Sequence, residues 1–158
     1  YVSFFQVAMM PMFATVALSY GLEPHILRGK FSSNMRKEFT KVLVLIGLVF
    51  FITLLFQSHI SYLFVNQKTN TFDPILTLLI FACLFKAFVV LLVPFFIAGG
   101  QQKKLFYRYF FALTIYVPCL YFFGQSYGSL GIAVAFLVAH AFLFGLLISD
   151  LRDFWSIV

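Results

Sequence analysis

Charge is the scarcest commodity in this sequence. Only 10% of its 158 residues are Asp, Glu, Lys or Arg, where a soluble globular domain carries about a quarter. Acidic residues number five, and Glu23, Glu38, Asp73, Asp150 and Asp153 all sit in or beside the breaks between apolar runs. Recognisable catalytic signatures are missing: there is no glycine-rich phosphate loop, no HExxH, no GxSxG and no cluster of carboxylates. Acid–base or metal-assisted chemistry needs such groups at a water-accessible depth, so no catalytic residue, no metal site and no cofactor is expected. The two cysteines, Cys83 and Cys119, lie inside apolar segments without a CxxC or a histidine at ligand spacing. They read as small apolar fillers and say nothing about redox compartment.

What the chain has in quantity is hydrocarbon. Hydrophobic residues make up 63% of it, with 24 phenylalanines, eight tyrosines and one tryptophan, and the mean hydropathy is +1.01. Length alone suggests one domain, but so little polar surface cannot cover a water-soluble core of this size. Lipid replaces most of that core, and the useful unit becomes the span of about 20 apolar residues. Five runs qualify, at residues 2–20, 42–64, 74–98, 105–123 and 130–148. Turn residues separate them: Gly21 and Pro24, then 66–70 with Asp73–Pro74, then Gly99–Gly100–Gln101–Gln102, then Gly124–Gln125–Ser126. A barrel would show short alternating runs instead. The expected fold class is therefore an all-α membrane protein of about five transmembrane helices.

Lysine and arginine in the short loops orient these spans. Arg28, Lys30, Arg36, Lys37 and Lys41 follow the first, while only Lys68 follows the second. Lys103, Lys104 and Arg108 follow the third, none follows the fourth, and Arg152 lies in the tail. Nine cations thus fall on one side and one on the other, which predicts cytoplasmic loops at 21–41 and 99–104 and a cytoplasmic C-terminus. Anionic headgroups accommodate those cations and the high pI, and no nucleic-acid partner is needed. The chain starts at Tyr1, apolar from the outset and with no charged leader, which reads as a piece of something longer rather than a signal peptide. Residues 29–41 read as a juxtamembrane helix on the headgroups, capped by Ser33 or Asn34 and continuing into the second span.

Lys86 is the most informative single residue. It lies near the middle of the third span, where a charge costs about 2.5–3.5 kcal/mol on the lenient insertion scale. Two readings stand open. Either Lys86 faces a water-filled cavity and meets an anionic substrate group, or it pairs with a partner elsewhere or snorkels outward. His140, midway along the fifth span, reads either as a proton relay or sugar contact, or as an imidazole bonded between helices. His25 and His59 lie near interfaces and read as solvated. Pro94 and Pro118 fall inside spans and are candidate kinks, as in interrupted transporter helices. Gly131, Ala135 and Ala139, four apart, mark a face for close helix packing.

Three stretches carry a family resemblance. One is Met10–Pro11 and the basic loop leading into Lys41–Phe51. Another is 60–65 (ISYLFV), then Asp73 through to Ala98–Gly99–Gly100–Gln101–Gln102–Lys103. The last is Phe123–Gly124 through Gly128–Ser129–Leu130–Gly131–Ile132–Ala133–Val134–Ala135. In order and spacing these resemble the C-terminal lobe of bacterial polysaccharide (O-antigen and capsule) flippases of the multidrug/oligosaccharidyl-lipid/polysaccharide exporter superfamily. The resemblance implies the partial lobe of a twelve-span MATE-like transporter in the bacterial cytoplasmic membrane. Its partners would be membrane lipids, the missing N-terminal lobe and a coupling ion, H+ or Na+. Its substrate would be a lipid-linked (undecaprenyl pyrophosphate) oligosaccharide moved by alternating access, with Lys86 serving a cationic cavity. The final five spans of such a protein start outside and end inside, as the charge pattern predicts. A related exporter of drugs or of the peptidoglycan lipid precursor, and a non-transport scaffold, remain alternatives.

Overall fold

In the computed structural model, residues 33–59 and 73–155 are described, together with Tyr62 and residues at intervals between 6 and 21. The readings placed on the chain's first residues, on 22–32 (with His25) and on 63–72 (with Lys68) lie outside the described residues. Among those described the fold is all-helical, with no strand. The principal elements are α1 (Ser33–Leu55), α2 (Pro74–Ala98) and α3 (Gln102–Trp155).

Each boundary has a local cause. At the start of α2, Asp73 Oδ1 accepts the backbone N–H groups of Ile75 at 2.9 Å and Leu76 at 3.1 Å. Pro74 fills the first helical position, where a missing N–H costs nothing. The helix ends on Gly100, which takes a left-handed φ of 68°. That conformation lets Gln101 N donate back to Phe96 O at 2.8 Å, a glycine-dependent C-terminal cap. The chain then re-enters helix at Gln102 within two residues.

The 54-residue α3 is a hairpin rather than a rod. Gly128 alone leaves helical geometry, at φ 57° and ψ −129°, a combination open to glycine and closed to residues bearing a Cβ. Cross-limb pairs show the reversal: Arg108 meets Asp150, Phe111 meets Phe142 and Tyr116 meets Phe136. The limbs close at Gly131, where an added Cβ would collide with the Phe123 carbonyl. Each limb, at about 1.5 Å per residue, is long enough to cross a 30 Å hydrocarbon layer. The reversal falls inside the break expected between 123 and 130, at Gly128 rather than at the turn residues Gly124–Gln125–Ser126, because it needs Gly128's backbone freedom and polar side chains do not supply it.

Helix α2 is the centre of the bundle. Phe39 of α1 packs edge-on against Phe95, ring centroids 5.0 Å apart, and Thr77 bonds to Gln57 just past α1, so α1 and α2 run antiparallel. Phe85 and Phe88 both meet Phe144, which sets α2 beside the second limb of α3. Leu76, Ile80, Cys83, Ala87 and Leu91 pack with Ala8, Met12, Ile46, Phe50 and Ala133. On another side, Val89, Leu92 and Phe96 pack with Leu105, Ala112, Leu143 and Leu147. Burial on several sides explains why α2 reads as a continuous apolar run rather than an amphipathic one.

Among the described residues, α2 and α3 are long and apolar enough to cross a membrane. The runs expected at 74–98, 105–123 and 130–148 fall on α2 and on the two limbs of α3. Of the run expected at 42–64, residues 42–55 lie in α1, Phe56 is a turn, residues 57–59 and Tyr62 are helical again, and 60, 61, 63 and 64 lie outside the described residues. Gln57, 1% exposed, sits at that turn with its Oε1 3.2 Å from Thr77 Oγ1. A buried amide needs such a partner. Residues 33–41 of the segment expected at 29–41 form one continuous helix with the second run, as α1, while 29–32 lie outside the described residues. Helix runs unbroken through Pro94 and Pro118.

Candidate functional site

Lys86 lies at the midpoint of α2, twelve residues from either end, about 18 Å along the axis. Its neighbours one turn back, Ala82 and Cys83, are fully buried, while Lys86 itself is half-buried. Among the described residues no carboxylate reaches ion-pair distance of it. Lys86 is close enough to interact electrostatically with Cys83 and with His140 of the second limb. The two polar residues singled out in the sequence are therefore brought to one level of the bundle by the pairing of α2 with α3.

His140 is only partly committed. Its Nδ1 lies 2.8 Å from the carbonyl oxygen of Phe136, which accepts and so fixes the proton on Nδ1. The partner is the residue's own helix one turn earlier, not a neighbouring helix. The imidazole also tilts against the Phe136 ring, centroids 4.2 Å apart. In the neutral ring this leaves Nε2 as an acceptor. His140 lines a groove of about 350 Å³ between the limbs of α3, together with Phe106, Tyr109, Phe110, Leu113 and Tyr116. Lys86 is not among the groove's lining residues. Gly131, Ala135 and Ala139 are all buried, so the small-residue face does pack closely.

A second polar cluster escaped the sequence reading. Asp150, 5% exposed, accepts Arg108 Nε at 2.8 Å and Nη2 at 2.9 Å, a two-pronged pair, and Lys104 Nζ lies 2.9 Å from its Oδ1. Burial by itself would raise the Asp150 carboxyl, but the hydrogen bonds and charges of Arg108 and Lys104 hold it below its ordinary value. The cluster clasps the open end of the hairpin, beyond the apolar run that ends at Ile148. Its members are 42 and 46 residues apart in sequence, and only the hairpin reversal reveals their pairing. Among the described residues no group of three or more His, Cys, Asp and Glu side chains could hold a metal ion.

Comparison with protein-family models, with curated proteins and with solved structures gave no match.

Proposed function

We propose that this chain is a membrane-embedded lobe of a transporter for an anionic, lipid-linked substrate, with Lys86 as the residue that meets the substrate's charge. Two observations support embedding. One face of the first limb of α3 presents Phe106, Phe110, Leu113, Val117 and Tyr121, each more than half exposed, an apolar stripe that water would penalise and hydrocarbon would not. The described cations of α1 and of the α2–α3 turn, Lys37, Lys41, Lys103 and Lys104, gather at the end of the bundle clasped by Asp150, where a cytoplasmic headgroup layer would meet them.

The transport reading is carried by Lys86. A cation at mid-helix without a carboxylate partner is costly unless water or an anionic ligand reaches it. His140 at the same level adds a hydrogen-bonding group and no competing negative charge. Together with the flippase-like motifs, this favours a lipid-linked oligosaccharide diphosphate over a cationic drug, which would call for an intramembrane carboxylate. The test replaces Lys86 by Ala in the cell-encoded protein that carries this chain and reads surface polysaccharide. Loss of polysaccharide at unchanged protein level, restored by Lys86→Arg, is the expected result. Normal polysaccharide in the alanine variant would refute the role of Lys86.

A further inference from the structure

The groove between the limbs of α3 has a shape and a charge pattern that the transport reading leaves unused. Phe106, Phe110 and Leu113 form its exposed lip and Tyr116 its deep end, on one helical face at spacings of four and three. From Phe106 to Tyr116 the helix rises about 15 Å, half of a hydrocarbon core about 30 Å thick. Lys103 lies one turn before Phe106 on that same face and is exposed. Lys104 and Arg108 are turned onto Asp150, whereas Lys103 makes no ion pair among the described residues. The groove therefore runs from an unneutralised cation at one membrane surface to the middle of the bilayer, with almost wholly apolar walls.

We propose that this groove holds one acyl chain of an anionic diacyl phospholipid, whose phosphate is received by Lys103. The charge selects the headgroup, because a basic residue at the membrane surface favours an anionic over a zwitterionic lipid about fivefold. The aromatic lip and the depth of one leaflet select an acyl chain rather than a bulky ring system. A bound lipid would also cover apolar surface that the limbs of α3 leave open, and so brace the hairpin from outside. The inference rests on the membrane-embedded reading above, but not on Lys86 or on the transported substrate.

The purified chain, taken through mixed micelles of phosphatidylglycerol or phosphatidylcholine with identical acyl chains, is examined by native mass spectrometry. Carbonate-resistant membrane insertion is measured first on the same chain. The expected result is one retained phosphatidylglycerol, favoured about fivefold over phosphatidylcholine. Lys103→Gln should abolish the preference without abolishing retention. Leu113→Trp, which fills the groove from its exposed lip, should reduce retention of both lipids. Equal retention of the two lipids by the unaltered chain, or retention indifferent to Leu113→Trp, would overturn the proposal and leave the membrane reading intact. A dimer that Leu113→Trp abolishes, with no retained lipid, would assign the groove to a second copy and also overturn it. A chain extracted by carbonate would remove the membrane reading and this proposal together.

Discussion

At the scale of single residues, Lys86 and Asp150 are charges placed in opposite circumstances. Lys86 sits at mid-helix without a described carboxylate partner, so its removal should relieve a cost. Replacing it with Leu should improve membrane insertion of α2 by about 3–4 kcal/mol, read as the inserted fraction in a translocon assay, while transport is lost. A residue kept only for packing would not separate the two readouts in this way. Asp150 is the reverse, buried and bonded to two cations. Asp150→Asn should cost about 1.5–3 kcal/mol, the range for a hydrogen bond to a charged group, seen as a lower thermal midpoint in detergent. The pH dependence follows from the direction of its shift. A carboxyl held below its ordinary value stabilises the fold at any pH above that value and loses the contribution as pH falls through the lowered one. Melting midpoints should therefore be flat from neutrality down to the ordinary carboxylate range and fall only below it. In Asp150→Asn that acid-side fall should be weaker.

At the scale of elements, the α3 hairpin depends on two glycines for different reasons. Gly128→Ala forces a Cβ into a backbone region that L-residues avoid, a strain of about 1–3 kcal/mol. Gly131→Ala drives a Cβ into the Phe123 backbone, which cannot move as a flexible side chain would, so the limbs must separate. Limited proteolysis near residues 124–131 should accelerate in both variants, and more in Gly131→Ala. The elements were largely legible in the sequence because run length, Asp73–Pro74 and the Gly99–Gly100 pair are local signals, and local signals mark local boundaries. The residue that makes the reversal was not legible, because Gly124–Gln125–Ser126 and Gly128 look alike as turn formers and only the backbone angles tell them apart. The Gln57–Thr77 bond was hidden for a related reason. Gln57 reads as one polar residue in an apolar run until α2 brings Thr77 beside it.

At the scale of the whole molecule, the charge pattern and the packing agree. Antiparallel α1 and α2, followed by the two limbs of α3, put Lys37, Lys41, Lys103 and Lys104 at one end of the bundle, as loop counting alone had placed them. The Lys104–Arg108–Asp150 clasp and the groove were not legible, since both are built across the hairpin from residues far apart in sequence. Nor does sequence place Lys86 beside His140, because that proximity comes from the register of α2 against the second limb. The central claim is that Lys86 occupies a water-accessible position inside a membrane-embedded bundle. The most direct measurement is modification of Lys86→Cys, in a chain whose Cys83 and Cys119 are replaced by Ala, with a membrane-impermeant thiol reagent on carbonate-washed membranes. Labelling at position 86, with no labelling of the cysteine-free chain, is the result the account predicts. A position 86 that stays unlabelled in the inserted chain, from either face of the membrane, would contradict it.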